Sequence, residues 1–521
     1  MKTLTYKLAG LIFTLLIFAG CSSDGLYETE QISNIKFQVK SGLIQQQEGV
    51  NDISFLKVTK NGIKRTDLFK CQKGEVQYNI FGDYNGKNSN RLFVMTLPEN
   101  SRISDIEPAV SVIYASTKKI VRYKTGSPFG KHQFDNKGRF LVLYHGNSDS
   151  KYTDSLFNPN EVAIIDLNAK PSSKNPRILS VNTKGHIIKN VLFPGKITVG
   201  KNNRYFVSFI ADGMMQLLDL YDKNDHLVKV KLTQDSDKRT VLVNMLKTVK
   251  AYKNFGPQIF AISEGATEIF DIELSDDSDQ DAGYSTNLSL LDSGEYCNNF
   301  TVIKDDGKLL LVSIGKNSSN ITIFQIDTTS MFTIKAEHNL SQLFIRNSNK
   351  NEEIVIYGNF TNNIYFLTVD NIIDNRGNNL KSLYIPGGIA AVDVLDQNSL
   401  IVFNSASSAI TPVNLEKKSI SIISIDKAYD FKDAVLWKDT FFVSSSTQIS
   451  YLDLNSNHPD NMVTDEQITK LYIFSSIDMG VAIHGSVTGR ATMFPLADPV
   501  RKKAFITDGF MVQGILDREE N

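Results

Sequence analysis

Three aspartates at alternate positions form the pattern in this chain that is most typical of metal binding. Asp277, Asp279 and Asp281 are separated by single residues, a spacing that gathers carboxylate oxygens around Ca²⁺. A complete calcium loop would continue with glycine after the third aspartate and an acidic residue at its twelfth position, where this chain has Ala282 and Leu288. We therefore favour a solvated acidic loop between strands, with calcium as the alternative and no other cofactor expected.

Two cysteines far apart in the chain, Cys71 and Cys297, raise the question of a disulfide. Neither belongs to a Cys-x-x-Cys pair, so the sequence indicates no zinc or dithiol redox site. In an oxidising compartment the two thiols could pair across a large loop. Two separate thiols are the favoured interpretation, and the disulfide is the alternative.

Histidine and serine residues do not form a recognisable catalytic pattern. His145-Gly146 and His484-Gly485 each follow an apolar run, but a catalytic zinc site takes three protein ligands. We interpret them as turn residues. The sequence contains no Gly-x-Ser-x-Gly elbow, phosphate loop or His-Glu-x-x-His helix, so no catalytic residue is predicted.

The first residues have the pattern of an export signal. Lys2 and Lys7 precede an apolar run over residues 8–18, which has the length of a signal peptide and is too short for a spanning helix. Its end, Ile17-Phe18-Ala19-Gly20-Cys21, resembles the lipobox of bacterial lipoproteins. The resemblance implies that residues 1–20 are removed and that Cys21 receives lipid, palmitate included.

An acidic, polar segment over residues 21–34 follows the lipobox, and we expect it to act as a flexible tether. Ser22, directly after the cysteine, resembles lipoproteins that are sent to the outer membrane. We therefore expect a lipid-anchored protein of the cell outer membrane, on either its periplasmic or its surface side. Several acyl chains give stable anchoring where one does not.

Composition points to a globular protein without a nucleic-acid partner. The chain has 521 residues, of which 41% are hydrophobic and 22% charged, and its formal net charge is −1. These fractions are ordinary for a folded soluble domain. A balanced charge creates no field that would draw the protein to nucleic acid.

A paired pattern of apolar runs recurs along the chain. One copy has Asp305-Asp306-Gly307-Lys308, then the run 309–312, then the run 321–326 closed by Asp327. The first runs begin at residues 140, 205, 259, 309, 354, 400, 441 and 481, with a weaker early copy at Leu92. Several of the second runs end in aspartate: Asp166, Asp219, Asp271, Asp327, Asp370 and Asp453. We expect these aspartates to accept hydrogen bonds from the turns that follow them.

The repeat predicts an all-β fold, a β-propeller of seven or eight blades over residues 85–518. A spacing of about 40–50 residues suits a blade of four strands. Inner strands of a blade are covered on both faces and so read as unbroken apolar runs. Outer strands should alternate, as residues 332–336 do. Residues 35–84 are expected to form a short β segment or a partial blade, and 510–516 to complete the ring.

Two features qualify this prediction. Residues 241–251 are the one segment whose pattern is compatible with an amphipathic helix, and a strand followed by a loop is the alternative there. The repeats resemble the broad superfamily of bacterial repeat propellers, without the Trp-Asp pairs of one large family, since Trp437 is the single tryptophan. The resemblance therefore implies a fold and no specific activity.

Two function classes remain open. The first is a noncatalytic, lipid-anchored binding or scaffold protein of the cell envelope that holds a protein or glycan partner on its propeller faces. The alternative is an envelope enzyme, lactonase-like or polysaccharide-cleaving, because propeller enzymes assemble their sites from loops of several blades.

Overall fold

The structure is a computed structural model. In it, the apolar runs of the sequence are strands of small antiparallel sheets. It describes residues 37–46, 52–82, 91–99, 107–114, 119–146, 158–183, 185–233, 239–252, 255–264, 266–305, 307–347, 352–369, 372–374, 380–394, 397–406, 409–424, 433–438, 440–453, 459–485, 489–506 and 510–518. Cys21, the leader and the tether lie outside these ranges. Residues 32–521 group as one compact unit.

The first five sheets, numbered in chain order, begin with one built from both ends of the described chain. Sheet 1 has β1 (Phe37–Gln46), β2 (Asp52–Thr59), β3 (Gly62–Lys70) and β41 (Phe510–Arg518). Sheet 2 has β4 (Glu75–Gly82), β5 (Arg91–Pro98), β6 (Ala109–Tyr114) and β7 (Lys119–Lys124). Sheet 3 has β8 (Lys131–Phe134), β9 (Phe140–Tyr144), β10 (Glu161–Asp166) and β11 (Arg177–Ser180). Sheet 4 has β12 (Asn190–Val199), β13 (Asn202–Ala211), β14 (Met214–Asp219) and β15 (Leu227–Lys231). Sheet 5 has β16 (Leu242–Val249), β17 (Gln258–Glu264), β18 (Glu268–Asp276) and β19 (Tyr284–Asp292).

The other five sheets repeat this arrangement. Sheet 6 has β20 (Cys297–Asp305), β21 (Lys308–Gly315), β22 (Asn320–Gln325) and β23 (Ser330–Lys335). Sheet 7 has β24 (Gln342–Asn347), β25 (Glu352–Tyr357), β26 (Asn363–Thr368) and β27 (Leu380–Tyr384). Sheet 8 has β28 (Ala391–Val394), β29 (Ser399–Phe403), β30 (Ala409–Asn414), β31 (Ser419–Ile420) and β32 (Ile423–Ser424). Sheet 9 has β33 (Asp433–Trp437), β34 (Thr440–Ser444), β35 (Gln448–Asp453) and β36 (Pro459–Val463). Sheet 10 has β37 (Ile468–Phe474), β38 (Met479–His484), β39 (Arg490–Pro495) and β40 (Lys503–Ile506).

Burial depends on a strand's place in its sheet. The second and third strands are covered on both faces, so that β9 and β14 are buried along their whole length. Fourth strands such as β23 and β27 are mostly exposed or half-buried. First strands of consecutive sheets contact one another, as β12, β16, β20 and β24 do. The first strands therefore lie innermost and the fourth strands outermost.

Shared apolar clusters join many of the consecutive sheets. Such clusters join sheets 2 to 3, 3 to 4, 4 to 5, 7 to 8 and 9 to 10. Sheet 10 packs on sheet 1, and sheet 1 on sheet 2. The last described strand also pairs with the first, with Val39 opposite Leu516 and Phe37 opposite Arg518. This is a β-propeller closed by strands from both ends of the described chain, as the sequence predicted.

The described residues form ten sheets, where the sequence predicted seven or eight blades. All eight counted repeats correspond to the second and third strands of sheets 3 to 10. The weaker copy at Leu92 is β5 of sheet 2, and the expected partial blade contributes β1–β3 of sheet 1. The blade count was therefore too low because the copy at Leu92 was treated as weak and residues 35–84 as a partial blade, whereas each belongs to a complete four-stranded sheet.

Helices contribute little to the described residues. The segment compatible with an amphipathic helix contains strand β16, so the alternative interpretation is correct there. The described segments include one short 3₁₀ turn, Ser475–Ile477. None of the described helical residues forms a helix long and apolar enough to cross a membrane.

Candidate functional site: a cleft between sheets 6 and 7

The outer strands of sheets 6 and 7 diverge and leave a cleft of about 540 Å³. One wall is β23 with the two residues that follow it, and the other is β27, with the side chain of Tyr365 from β26 between them. The lining residues are Phe332, Thr333, Ile334, Lys335, Ala336, Glu337, Tyr365, Leu380, Lys381 and Ser382. We call this the outer cleft.

The floor of the outer cleft is apolar because β23 alternates. Ile334 and Ala336 are buried, and Phe332 and Leu380 are half-buried. Side chains of one strand face opposite sides in turn. The apolar positions of β23 therefore give the cleft a hydrophobic base, while the intervening polar ones reach solvent.

One end of the outer cleft carries a fixed carboxylate. The Nδ2 of Asn363 donates to Glu337 Oε2 at 3.0 Å, and the backbone nitrogen of Glu337 donates to the Tyr365 hydroxyl at 3.2 Å. These two bonds hold both the main chain and the side chain of Glu337. A carboxylate that already accepts a hydrogen bond in a fixed place orients a ligand more effectively than a mobile one.

Two ammonium groups give the outer cleft a positive formal charge. Lys335 and Lys381 are exposed on opposite walls. Glu337 is the one carboxylate among the ten described lining residues, so the formal charge is positive. Tyr384, two positions beyond Ser382 on β27, is 59% exposed and adds an aromatic edge. The outer cleft thus combines an apolar floor with charged rims.

The aspartates proposed for calcium lie in the turn between β18 and β19. Asp279 and Asp281 are exposed, and the backbone nitrogen of Asp279 donates to Asp277 Oδ1 at 3.1 Å. This hydrogen bond is typical of an aspartate that stabilises its own turn. Within the described ranges, no three His, Cys, Asp or Glu residues are grouped so as to hold a metal ion.

Cys71 and Cys297 lie at different sheets. Cys71 follows β3 in sheet 1, whereas Cys297 begins β20 in sheet 6, and no disulfide joins these two described thiols. A disulfide requires Cα atoms within about 7 Å, which the placement in sheets five positions apart does not provide. Burial raises the pKa of the Cys297 thiol to about 12. The structure thus shows no bond between these two thiols, and the interpretation of two separate thiols stays a prediction.

The two His-Gly pairs lie in sheets 3 and 10 and do not share a site. Burial lowers the pKa of His145 to about 4, and its ring lies 4.9 Å from that of Phe129. His484 Nε2 lies 2.8 Å from the hydroxyl of Thr492. Both histidines pack inside their own blades, at the ends of second strands.

Two of the strand-end aspartates accept hydrogen bonds from the turns that follow them, as predicted. Asp166 accepts from the backbone nitrogen of Asn168, and Asp219 from that of Tyr221, each at 3.0 Å. Asp327 and Asp453 are exposed, and Asp370 lies outside the described residues. The prediction is wrong for Asp271, which lies within β18 and accepts from Gln258 Nε2 rather than from a turn. Sequence reasoning found the outer strand 332–336 but missed the outer cleft, since its second wall comes from another sheet.

Comparison with known proteins finds similar solved structures but no matching family. No family model matches the chain. Dihydro-heme d1 dehydrogenase NirN in complex with DHE is similar with a TM-score of 0.41 and 12% identity over 75% of this chain and 78% of that one. The Dos1 propeller is similar with a TM-score of 0.39 and 14% identity over 68% of this chain and 90% of that one. The fold assignment rests on the sheet order and ring closure described above.

Proposed function

We propose that this protein is a noncatalytic binding or scaffold protein that holds a protein or glycan partner. The observation that carries the proposal is the outer cleft, with its apolar floor, the anchored carboxylate of Glu337 and the two lysines on its rims. Rigid sheets hold both walls, so that a partner binds without ordering the cleft first.

The proposal includes a place in the cell. Lipid on Cys21 would attach the protein to the outer membrane, and residues 21–34 would tether the propeller with its faces accessible. The lipobox-like sequence supports this location.

A photocrosslinking residue in place of Ser382 tests the outer cleft in intact cells. We expect one discrete crosslinked species, which disappears when Lys335 and Lys381 are both changed to glutamate, because the partner loses its charged contacts. The matched control position is Lys229, which is exposed on the outer strand of sheet 4. Equal crosslinking from both positions, or none from Ser382, contradicts the proposal.

The enzyme alternative, lactonase-like or polysaccharide-cleaving, makes a different prediction at the same cleft. A hydrolase that worked there would depend on Glu337, the one carboxylate among the described lining residues, whereas glycosidases usually use two. Glu337→Gln keeps an acceptor for Asn363. Retained crosslinking at Ser382 supports the binding role, and a trapped substrate or lost turnover supports the enzyme.

A further inference from the structure

Three aspartates occupy equivalent places in sheets 3, 4 and 5. Asp166, Asp219 and Asp271 each lie on the third strand of their sheet, directly opposite Phe140, Phe206 and Phe260 respectively. Because side chains alternate along a strand, Asp271 points away from Phe270 and Ile272, which pack on sheet 4. Asp271 therefore faces sheet 6.

An arginine neutralises the charge of two of these aspartates, whereas a glutamine lies beside the third. Arg139 Nη2 lies 2.8 Å from Asp166 Oδ2, and Arg204 Nη1 lies 3.3 Å from Asp219 Oδ2. Arg204 stands two residues before Phe206, and the residue two before Phe260 is Gln258. Sheet 5 thus has the acid of sheet 4 but an amide where sheet 4 has its arginine.

The amide and the acid of sheet 5 are joined by one hydrogen bond and leave two oxygens unpaired. Gln258 Nε2 donates to Asp271 Oδ2 at 3.1 Å. Gln258 is 4% exposed and Asp271 7%. Asp271 Oδ1 and Gln258 Oε1 are both buried and accept no hydrogen bond. A single donor placed between these two oxygens would satisfy both of them. An ionised carboxylate carries no proton that it could donate.

We propose that Asp271 takes up a proton from solvent and that its carboxylic acid forms a cyclic, two-bond pair with the Gln258 amide. The bound proton sits on Oδ1 and is donated to Gln258 Oε1, while Gln258 Nε2 continues to donate to Oδ2. One proton thereby satisfies both unpaired oxygens and removes a buried charge. The junction between sheets 5 and 6 thus contains a proton-binding site that the sequence did not reveal.

The electrostatic surroundings favour the protonated acid. Burial, with a smaller contribution from the nearby Glu273 carboxylate, raises the pKa of Asp271 to about 7. Among the described residues, Lys247 of β16 and Lys304 of β20 also lie at this junction. Lys247 Nζ lies 5.7 Å from the centre of the Phe300 ring, and Lys304 Nζ lies 4.1 Å from that of Tyr252. Both ammonium groups thus lie over aromatic rings of the junction.

The proposal predicts a stability that falls as the pH rises. An aspartate is half-ionised near pH 4 in an unfolded chain, so between about pH 4 and 7 the folded protein binds a proton that the unfolded chain has released. The contribution of Asp271 is complete below this window and is lost as pH rises through 7. In the window, each pH unit changes the unfolding equilibrium about tenfold.

Asp271→Asn tests the site because its amide reproduces the cyclic pair without a titrating proton. Nδ2 would donate to Gln258 Oε1, and Oδ1 would accept from Gln258 Nε2. Urea unfolding of the full chain is measured for both proteins between pH 5 and 8.5. We expect the ratio of the wild-type to the variant unfolding constant to rise about tenfold per unit towards pH 7 and then level off. A ratio that is independent of pH overturns the proposal.

Two further measurements keep the test decisive if unfolding is irreversible. Difference infrared spectra of the wild type between pH 5 and 8 should show the carbonyl band of a buried carboxylic acid. This band should be missing in Asp271→Asn, and an unchanged band in the variant contradicts the assignment. Gln258→Arg would give Asp271 an ion pair like that of Arg204 with Asp219 in sheet 4. This variant should lack the band, because Asp271 would then stay ionised. A band that persists in Gln258→Arg also overturns the cyclic pair.

Discussion

The guanidinium group of Arg204 ties sheet 4 to sheet 5. Its Nη1 donates to the carbonyl oxygen of Ala282 at 2.9 Å, and its Nη2 to that of Gly283 at 2.8 Å, while Asp219 supplies the counter-charge. Gly283 has a φ of +68°, and a Cβ there would come within 2.9 Å of Arg204 Nη2. Glycine is thus required by both the turn and the close approach of the arginine.

At the residue scale, Arg204→Gln should destabilise the protein by about 3–5 kcal/mol, because it leaves the Asp219 carboxylate buried without its cation. Urea unfolding at pH 7.5 measures the effect. The matched control is Arg239→Gln, since the Arg239 side chain is 53% exposed beside Glu268. Exposed pairs contribute about 0–1 kcal/mol, and equal losses in the two variants would show that Asp219 does not depend on Arg204.

At the element scale, the closing strand β41 completes sheet 1 and supplies its innermost strand. A chain that ends at residue 509 should lose the cooperative unfolding of the propeller and aggregate, because β1 then becomes an open edge. Size-exclusion chromatography and thermal unfolding followed by circular dichroism check this. A chain that ends at 518 is the control, and a monomeric, fully cooperative 1–509 chain would refute a structural role for β41.

The sequence predicted second and third strands well and first and fourth strands poorly, for a physical reason. Inner pairs such as β21 and β22 are covered on both faces and so consist of unbroken apolar residues. Innermost and outermost strands such as β12 and β19 alternate buried with exposed or half-buried residues, and such mixed patterns are harder to distinguish from loops. The outer cleft was beyond prediction because Ile334 and Leu380 come together only after two sheets have packed.

At the scale of the whole molecule, Cys21 is expected to decide where the propeller resides. Cys21→Ala should give an uncleaved or soluble precursor, since no thiol is left for the lipid. Membrane fractionation and mass spectrometry of the N-terminal peptide measure this, with Cys71→Ala as the control thiol. Unchanged fractionation together with an unmodified Cys21 in the wild type would rule out the lipid anchor.

Pairing of β1 with β41 has a consequence for how the molecule is made. The ribosome releases β41 after every other described strand, so sheet 1 stays incomplete while the remaining nine sheets are synthesised. Chains that wait with an exposed strand edge are prone to wrong pairing. The nascent protein therefore exposes the edge of β1 until its final segment arrives, and a stop codon upstream of Phe510 would leave that edge exposed permanently.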